Sequence, residues 1–276
     1  MEVIIQPDPV KAAHIVASLV ARALRAKPNL VLGLATGRTM EQVYDELVWM
    51  NQEEGLDFSL CRTFNLDEYV GLPPDHPGSY RHYMNKCLFN RVNIDPRNTH
   101  LPDGLAPDLK AECDNYERLI TECGGIDFQL LGIGRDGHIG FNEPLSALRS
   151  RTREKALTRS TLEANAPMFG GNPGKVPRRA ITMGVGTILE SKRCVLLAIG
   201  KDKAKVLAKA VEGPITAMIS GSAMQLHPHC TVVVDKGAAS RLHEIEYYRW
   251  IYQNEPEWQD FRKAPSRKPT FKKLRK

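Results

Sequence analysis

Cysteine is sparse: the chain of 276 residues has six, none in a CxxC pair. Cys61, Cys87, Cys113, Cys123, Cys194 and Cys230 are scattered, with three at or beside apolar runs. That spacing argues against a zinc framework or a disulfide scaffold and reads as free thiols in a reducing, cytoplasmic compartment. No stretch approaches the ~18 apolar residues of a membrane span. The opening "MEVIIQPDPV" lacks the charged segment and apolar core of a signal peptide. Linkers rich in glycine or serine and internal repeats are also missing, so nothing divides the chain into modules. Neither a GxxxxGK[ST] loop, nor a dinucleotide fingerprint, nor a nucleophilic serine elbow is present.

A surplus of acid is missing too, but the net charge of +6 is local. The last fifteen residues, "RKAPSRKPTFKKLRK", hold eight Lys/Arg and no acid; the rest has 30 basic against 32 acidic residues. The body is therefore not a basic nucleic-acid binder. Residues 256–276 are expected to form a basic, disordered tail, because Pro, Lys and Arg without apolar periodicity cannot build a core. Contact of that tail with nucleic acid or an anionic surface is the alternative.

What is present alternates. Asp8-Pro9 opens a helix with Val16, Leu19, Val20, Ala23 and Leu24 at helical spacing. The strand "LVLGLATGRT" (30–39) runs into a second helix, with Met40, Val43, Tyr44, Leu47 and Val48 on one face and Gly55 near its stop. Further strands are expected in "CRTFNLDEY" (61–69), "DFQLLGIG" (127–134), "RCVLLAIG" (193–200) and "CTVVVD" (230–235), with helices at 108–123 and 202–213. Short apolar strands between helices define an α/β class: one domain over 1–255, an open parallel sheet covered on both faces.

Ligands of such sheets sit outside the carboxyl ends of the strands. Four segments fall there. "TGRT" (Thr36, Gly37, Arg38, Thr39) offers backbone amides and hydroxyls at a helix start, an anion site. "GKDK" places Lys203 in a first helical turn, where a cation opposes the dipole and needs a reason such as phosphate. Asp67 and Glu68 end a strand, where partial desolvation can fit a carboxylate for moving a proton at carbon. In "LLGIGRDGHIGFNEP" (130–144), Asp136, His138 and Glu143 arrive within eight positions, a histidine flanked by carboxylates. General acid–base work fits this group best; a metal site and a structural histidine are its rivals. A phosphate pocket beside acid–base groups suits proton transfer on a small phosphorylated sugar.

The stretches "GLATGRT", "FNLDEYVGL", "SYRHYM", "LLGIGRDGHIGFNEP", "SRTR" and "VPRRAITMGVGTIL" resemble the glucosamine-6-phosphate deaminases, collinearly over about residues 1–255. The resemblance implies the fold shared with ribose-5-phosphate isomerase and the coenzyme A transferases. It also implies conversion of glucosamine 6-phosphate and water to fructose 6-phosphate and ammonia, with no metal or organic cofactor. Asp67 matches the base that moves a proton between C2 and C1. His138 matches the group that opens the pyranose, with Asp136 and Glu143 as its supporting carboxylates. Thr36, Gly37, Arg38 and Thr39 match the phosphate loop, and Lys203 matches a phosphate ligand. Members that form hexamers are activated by N-acetylglucosamine 6-phosphate, and Arg153 and Lys155 match that allosteric site; a homo-oligomer is the expectation.

The chain departs from the pattern in places. Arg38 and Met40 replace a glycine and a proline of the usual phosphate loop. Pro167 in "ANAPMF" stands where an arginine usually binds phosphate. Ala147 and Arg249 stand where a serine and a tyrosine are usual. Galactosamine 6-phosphate is accordingly the alternative substrate. A 6-phosphogluconolactonase, which shares the DGH turn, and a non-catalytic sugar-phosphate sensor are more distant readings.

Overall fold

Residues 1–263 are described by the computed structural model. Among them run strands β1 (Glu2–Gln6), β2 (Val31–Leu34), β3 (Arg62–Asn65), β4 (Asp67–Tyr69), β5 (Thr99–His100), β6 (Phe128–Leu131), β7 (Arg153–Ala156), β8 (Arg179–Thr182), β9 (Cys194–Ala198) and β10 (Cys230–Asp235). The helices are α1 (Pro9–Ala26), α2 (Arg38–Glu54), α3 (Tyr80–Cys87), α4 (Leu109–Glu122), α5 (Arg159–Asn165), α6 (Val185–Leu189), α7 (Ala204–Val211), α8 (Lys236–Ala239), α9 (Ile245–Asn254) and α10 (Gln259–Lys263).

Local signals set the early boundaries. Asp8 caps α1 by accepting from the Lys11 amide at 2.9 Å, a contact worth about 1 kcal/mol. Val16, Leu19, Val20 and Leu24 are buried as their spacing requires. Gly55 ends α2 at φ 66°, a left-handed conformation that a side chain would strain.

Seven parallel strands form the main sheet in the order β1-β10-β9-β6-β2-β3-β5. Strands β2, β6, β9 and β10 are buried at every position, which is what helices on both faces impose. From β2 the chain adds strands on one side, then returns through β6 to the other. The crevice at the carboxyl ends of β2 and β6 is thus the topological switch point.

Three differences from the sequence expectations follow. First, "CRTFNLDEY" is not one strand. It breaks at Leu66, whose amide still bonds Leu34 O at 3.0 Å while its carbonyl accepts from Met183 N at 2.7 Å. Asp67–Tyr69 then joins an antiparallel three-stranded sheet, β4-β8-β7. Distant residues 179–182 make that pairing, so no local pattern announces it. Second, Lys203 ends a 3-10 turn (Lys201–Lys203) and precedes α7 rather than lying in its first turn.

Third, the boundary at 255 does not hold. Residues 256–263 continue as a 3-10 turn and α10, and Trp258 is fully buried in the main core. Glu257 pairs with Arg22 at 3.1 Å and Arg193 at 2.9 Å, and Arg22 lies 4.7 Å over the Phe261 ring. An aromatic core anchor outweighs the polar composition around it. The remainder of the expected tail, 264–276, lies outside the described residues. A second, smaller core of Tyr69, Tyr80, Phe141, Leu157, Phe169 and Val176 packs against the antiparallel sheet.

Candidate active site

A cavity of about 380 Å³ opens at the switch point, within the size range of small-molecule sites. All four strand-end segments reach it: residues 35–40 after β2, Leu66 and Asp67 after β3, 132–136 and His138 after β6, and Asp202 and Lys203 after β9. The far wall is α5 and the 3-10 turn Ala166–Phe169, including Pro167 and Met168.

His138 sits at one end. Its Nδ1 lies 2.7 Å from Asp136 Oδ1 and 3.4 Å from Glu143 Oε2. The loop can hold the ring there because residue 134 has no side chain: a Cβ on Gly134 would come within 2.4 Å of His138 Nε2. Glu143 is buried behind the histidine and does not line the cavity. Its carboxylate accepts from the Thr158 amide at 3.0 Å, and Oε2 lies 3.2 Å from Thr158 Oγ1. Burial alone would lower the His138 pKa, but the two carboxylates outweigh it and raise it. Asp136 feels the converse: burial would raise it, and its contact with His138 holds it low. The three ligand-type atoms lie within 4.8 Å of one another, a geometry open to a metal ion as well as to proton transfer.

Asp67 is 5% exposed. Burial first, and the neighbouring Glu68 charge second, push its carboxyl up to about 7, against the pull of His138 and the Phe141 amide. The space over it is kept by Gly140, at φ +54°, where a Cβ would meet Thr182 Oγ1 at 3.0 Å and Asp67 Oδ2 at 3.4 Å. A carboxylate titrating near neutrality is suited to taking and returning a proton.

The other end is cationic. Gly37 precedes α2 with no side chain to cap it, unlike Asp8, Ser79 and Asp108 before α1, α3 and α4. The Met40 amide donates to Gly37 O at 2.9 Å, and the amides of Arg38 and Thr39 before it are left for an anion. Thr36, Arg38 and Thr39 line the same wall. Lys203, also on the cavity wall, donates from Nζ to Ile133 O at 2.8 Å. Burial, more than the nearby Arg135, lowers its pKa. Neither Arg38 nor Arg135 forms a salt bridge among the described residues.

Asp67, Asp136, His138, the 36–39 loop and Lys203 line one cavity, with Glu143 one layer behind. Arg153 and Lys155 do not line the cavity; they lie two apart on β7. Arg153 Nη1 donates to Asn142 Oδ1 at 2.9 Å, next to Glu143. Sequence reasoning missed Arg135 and Tyr80 among the lining residues. Arg135 stood in view inside "GRDGH". Tyr80 arrives from α3, which carried no strand-end signal.

Fold and site together define a sugar-phosphate enzyme of the α/β class. A profile described as glucosamine-6-phosphate isomerases/6-phosphogluconolactonase matches residues 10–234, and the chain belongs to that family. Among curated relatives, glucosamine-6-phosphate deaminase of Arthrobacter sp. (strain FB24) is 49% identical over 94% of this chain and 99% of its own. That of Mycolicibacterium smegmatis is 47% identical over the same shares. A solved monomeric glucosamine-6-phosphate deaminase is 44% identical at TM-score 0.85, covering 87% of this chain and all of that one. The 6-phosphogluconolactonase of Trypanosoma cruzi, at 19% identity and TM-score 0.68 over 87% of this chain and 96% of its own, shares the fold.

Proposed function

We propose that this chain deaminates glucosamine 6-phosphate, releasing fructose 6-phosphate and ammonia. The carrying observation is a buried carboxylate, Asp67, raised to about 7 in the same cavity as the Asp136–His138 pair. The high identity to named deaminases over nearly the whole chain supports the same reading.

The phosphate binds the free amides of α2, with Lys203, Arg38 and Arg135 supplying charge. His138, charged at neutral pH, gives its proton to the ring oxygen as the C1–O5 bond breaks and the C1 hydroxyl loses its proton to solvent, leaving the aldehyde. Asp136 and Glu143 orient the imidazole and stabilise its charge. In the open aldehyde, ionised Asp67 removes the C2 proton; the electrons move onto the C1 oxygen, which takes a proton from solvent, giving an enol that carries the amine at C2. Asp67 then returns the proton to C1, leaving an iminium at C2. Water adds there and ammonia leaves. The C1 oxygen and the C2 amine of the substrate carry the electrons throughout.

Assembly and activation belong to the same proposal. Lys155 shares one face of β7 with Arg153 by strand alternation. Arg153 Nη2 and Ser146 Oγ are buried without hydrogen-bond partners among the described residues. Those groups would suit an anionic effector such as N-acetylglucosamine 6-phosphate in a homo-oligomer. Six free cysteines among the described residues fit a reducing, cytoplasmic setting. No helix among them is long and apolar enough to cross a membrane.

Ammonia release from glucosamine, galactosamine and mannosamine 6-phosphates, with and without N-acetylglucosamine 6-phosphate, tests the reading. Release from glucosamine 6-phosphate is expected. No release from any of the three would overturn it, and preference for the galactose epimer would reassign the substrate. Sedimentation of the purified chain settles whether copies associate.

A further inference from the structure

Glu68 is a buried acid that the proposed reaction leaves unused. Successive strand residues point to opposite faces; Asp67 lines the cavity and Glu68 does not. Its carboxylate is nonetheless fully engaged. Oε1 accepts from the Tyr69 amide at 2.8 Å and the Tyr80 amide at 3.0 Å, and Oε2 accepts from the Arg81 amide at 2.8 Å. Tyr80 and Arg81 are the first two residues of α3, whose amides have no partner within the helix. The Ser79 hydroxyl accepts from the next, His82, at 3.0 Å. A carboxylate from the base-bearing strand thus closes the positive end of a helix that starts a dozen residues later.

The other side of α3 reaches the phosphate loop. Tyr83 donates its hydroxyl hydrogen to Gly37 O at 2.9 Å. Tyr80 and Thr36 line the same cavity, and the Tyr80 hydroxyl donates to the Tyr69 hydroxyl at 3.4 Å. One short helix therefore joins Asp67, through Glu68, to Gly37 of the phosphate loop. We propose that Glu68 is a positioning residue that sets the separation between the Asp67 carboxylate and the phosphate loop, and with it the length of sugar phosphate the cavity turns over. This rests on the roles given above to Asp67 and to the loop.

Two consequences separate it from a plain helix cap. A changed separation weakens a ligand that must span the cavity, while inorganic phosphate, which touches only one end, binds as before. Although it points to the other face, Glu68 also acts on Asp67 through its charge, which raises the Asp67 pKa; burial pushes Glu68's own carboxyl up, against the three amides and Arg81 that favour its ionised form. The other titratable groups around Asp67 are Tyr69 on its own strand, Tyr80 on α3, Tyr116 on α4 and His138 on the loop after β6. Of these, only His138 carries a charge near neutrality, and it acts in the opposite direction to Glu68. Arg81 faces Glu68 itself. Neutralising Glu68 removes a like charge from Asp67, so the pH below which activity is lost falls.

The test compares Glu68→Gln and Glu68→Asp by steady-state kinetics on glucosamine 6-phosphate, inhibition by inorganic phosphate, and the pH profile of kcat/KM. Expected are a fall in kcat/KM of about tenfold or more in both variants and phosphate inhibition constants within about twofold of the parent. The acid limb should move down by about half a pH unit or more in Glu68→Gln and stay in place in Glu68→Asp. If Glu68→Gln does not fold, the charge-preserving variant decides alone: kcat/KM within about twofold of the parent overturns the proposal. Lower thermal stability with unchanged kinetics, or sugar-phosphate and phosphate binding lost in parallel, would likewise overturn it. An Asp67→Asn control keeps the premises apart, since full turnover there brings down the base assignment whatever Glu68 does.

Discussion

The two ends of the cavity are built on different principles. At the proton-transfer end Asp67 and Glu143 are almost fully buried, and His138 is held between two carboxylates. At the phosphate end Arg38 and Arg135 are exposed and without salt bridges among the described residues. The departures from the family pattern that touch the cavity, Arg38, Met40 and Pro167, leave Asp67, Asp136, His138 and Glu143 unchanged. The difference has a physical reason. A dianion can be held by helix amides and by cations approaching from several directions. A carboxylate raised to about 7 depends on one buried environment, so a displaced neighbour costs its function.

Breaking the first end should therefore do the most damage. Asp67→Asn is expected to lower kcat by roughly 10²–10⁴-fold, the range for losing a general base, while a non-reacting sugar-phosphate analogue still binds. His138→Gln should come next. Its loss should be larger for the closed pyranose than for a linear analogue, and equal loss on both would remove ring opening from its role.

The pH profile of kcat/KM sharpens the comparison further. Asp67 must be ionised to take the C2 proton, and its pKa is raised, so activity should fall as pH drops through about 7. His138 must carry a proton, and its pKa is also raised, so the alkaline limb should lie above the ordinary histidine range. A profile flat through pH 7 on the acid side would contradict the Asp67 environment. No such limb should move when Arg38 is changed.

At the phosphate end the expected effects are smaller and recoverable. Arg38→Gly should raise KM about tenfold, equivalent to ~1.4 kcal/mol. Adding Pro167→Arg should restore much of it, since residue 167 faces the same cavity. An unchanged KM in Arg38→Gly would show that the α2 amides and Lys203 suffice. Smallest of all, dialysis against a chelator should leave turnover unchanged, because His138 serves as the acid with Asp136 and Glu143 as its supporting carboxylates. Loss of activity reversed by a divalent ion would make it a metal site instead.

Much of this molecule is legible without its tertiary structure. The parallel strands are continuous apolar runs, and their order between helices forces a covered sheet. The ends of α1 and α2 follow from Asp8-Pro9 and Gly55. The site loops fall where strands hand over to helices, and "GRDGHIGFNEP" holds three of its acid–base groups within eight residues. These are local signals, readable because backbone conformation and short-range capping depend on near neighbours. Other features depend on residues far apart in the chain. The break of "NLDEY" into a second sheet needs β8. The tie from Glu68 through α3 to the phosphate loop needs the helix to return over β4. Trp258 becomes core because α1 and the main sheet leave a place for it. Above all, the sequence names the carboxylates but not their proton affinities, because desolvation and the field of neighbouring charges exist only once the chain has closed around them.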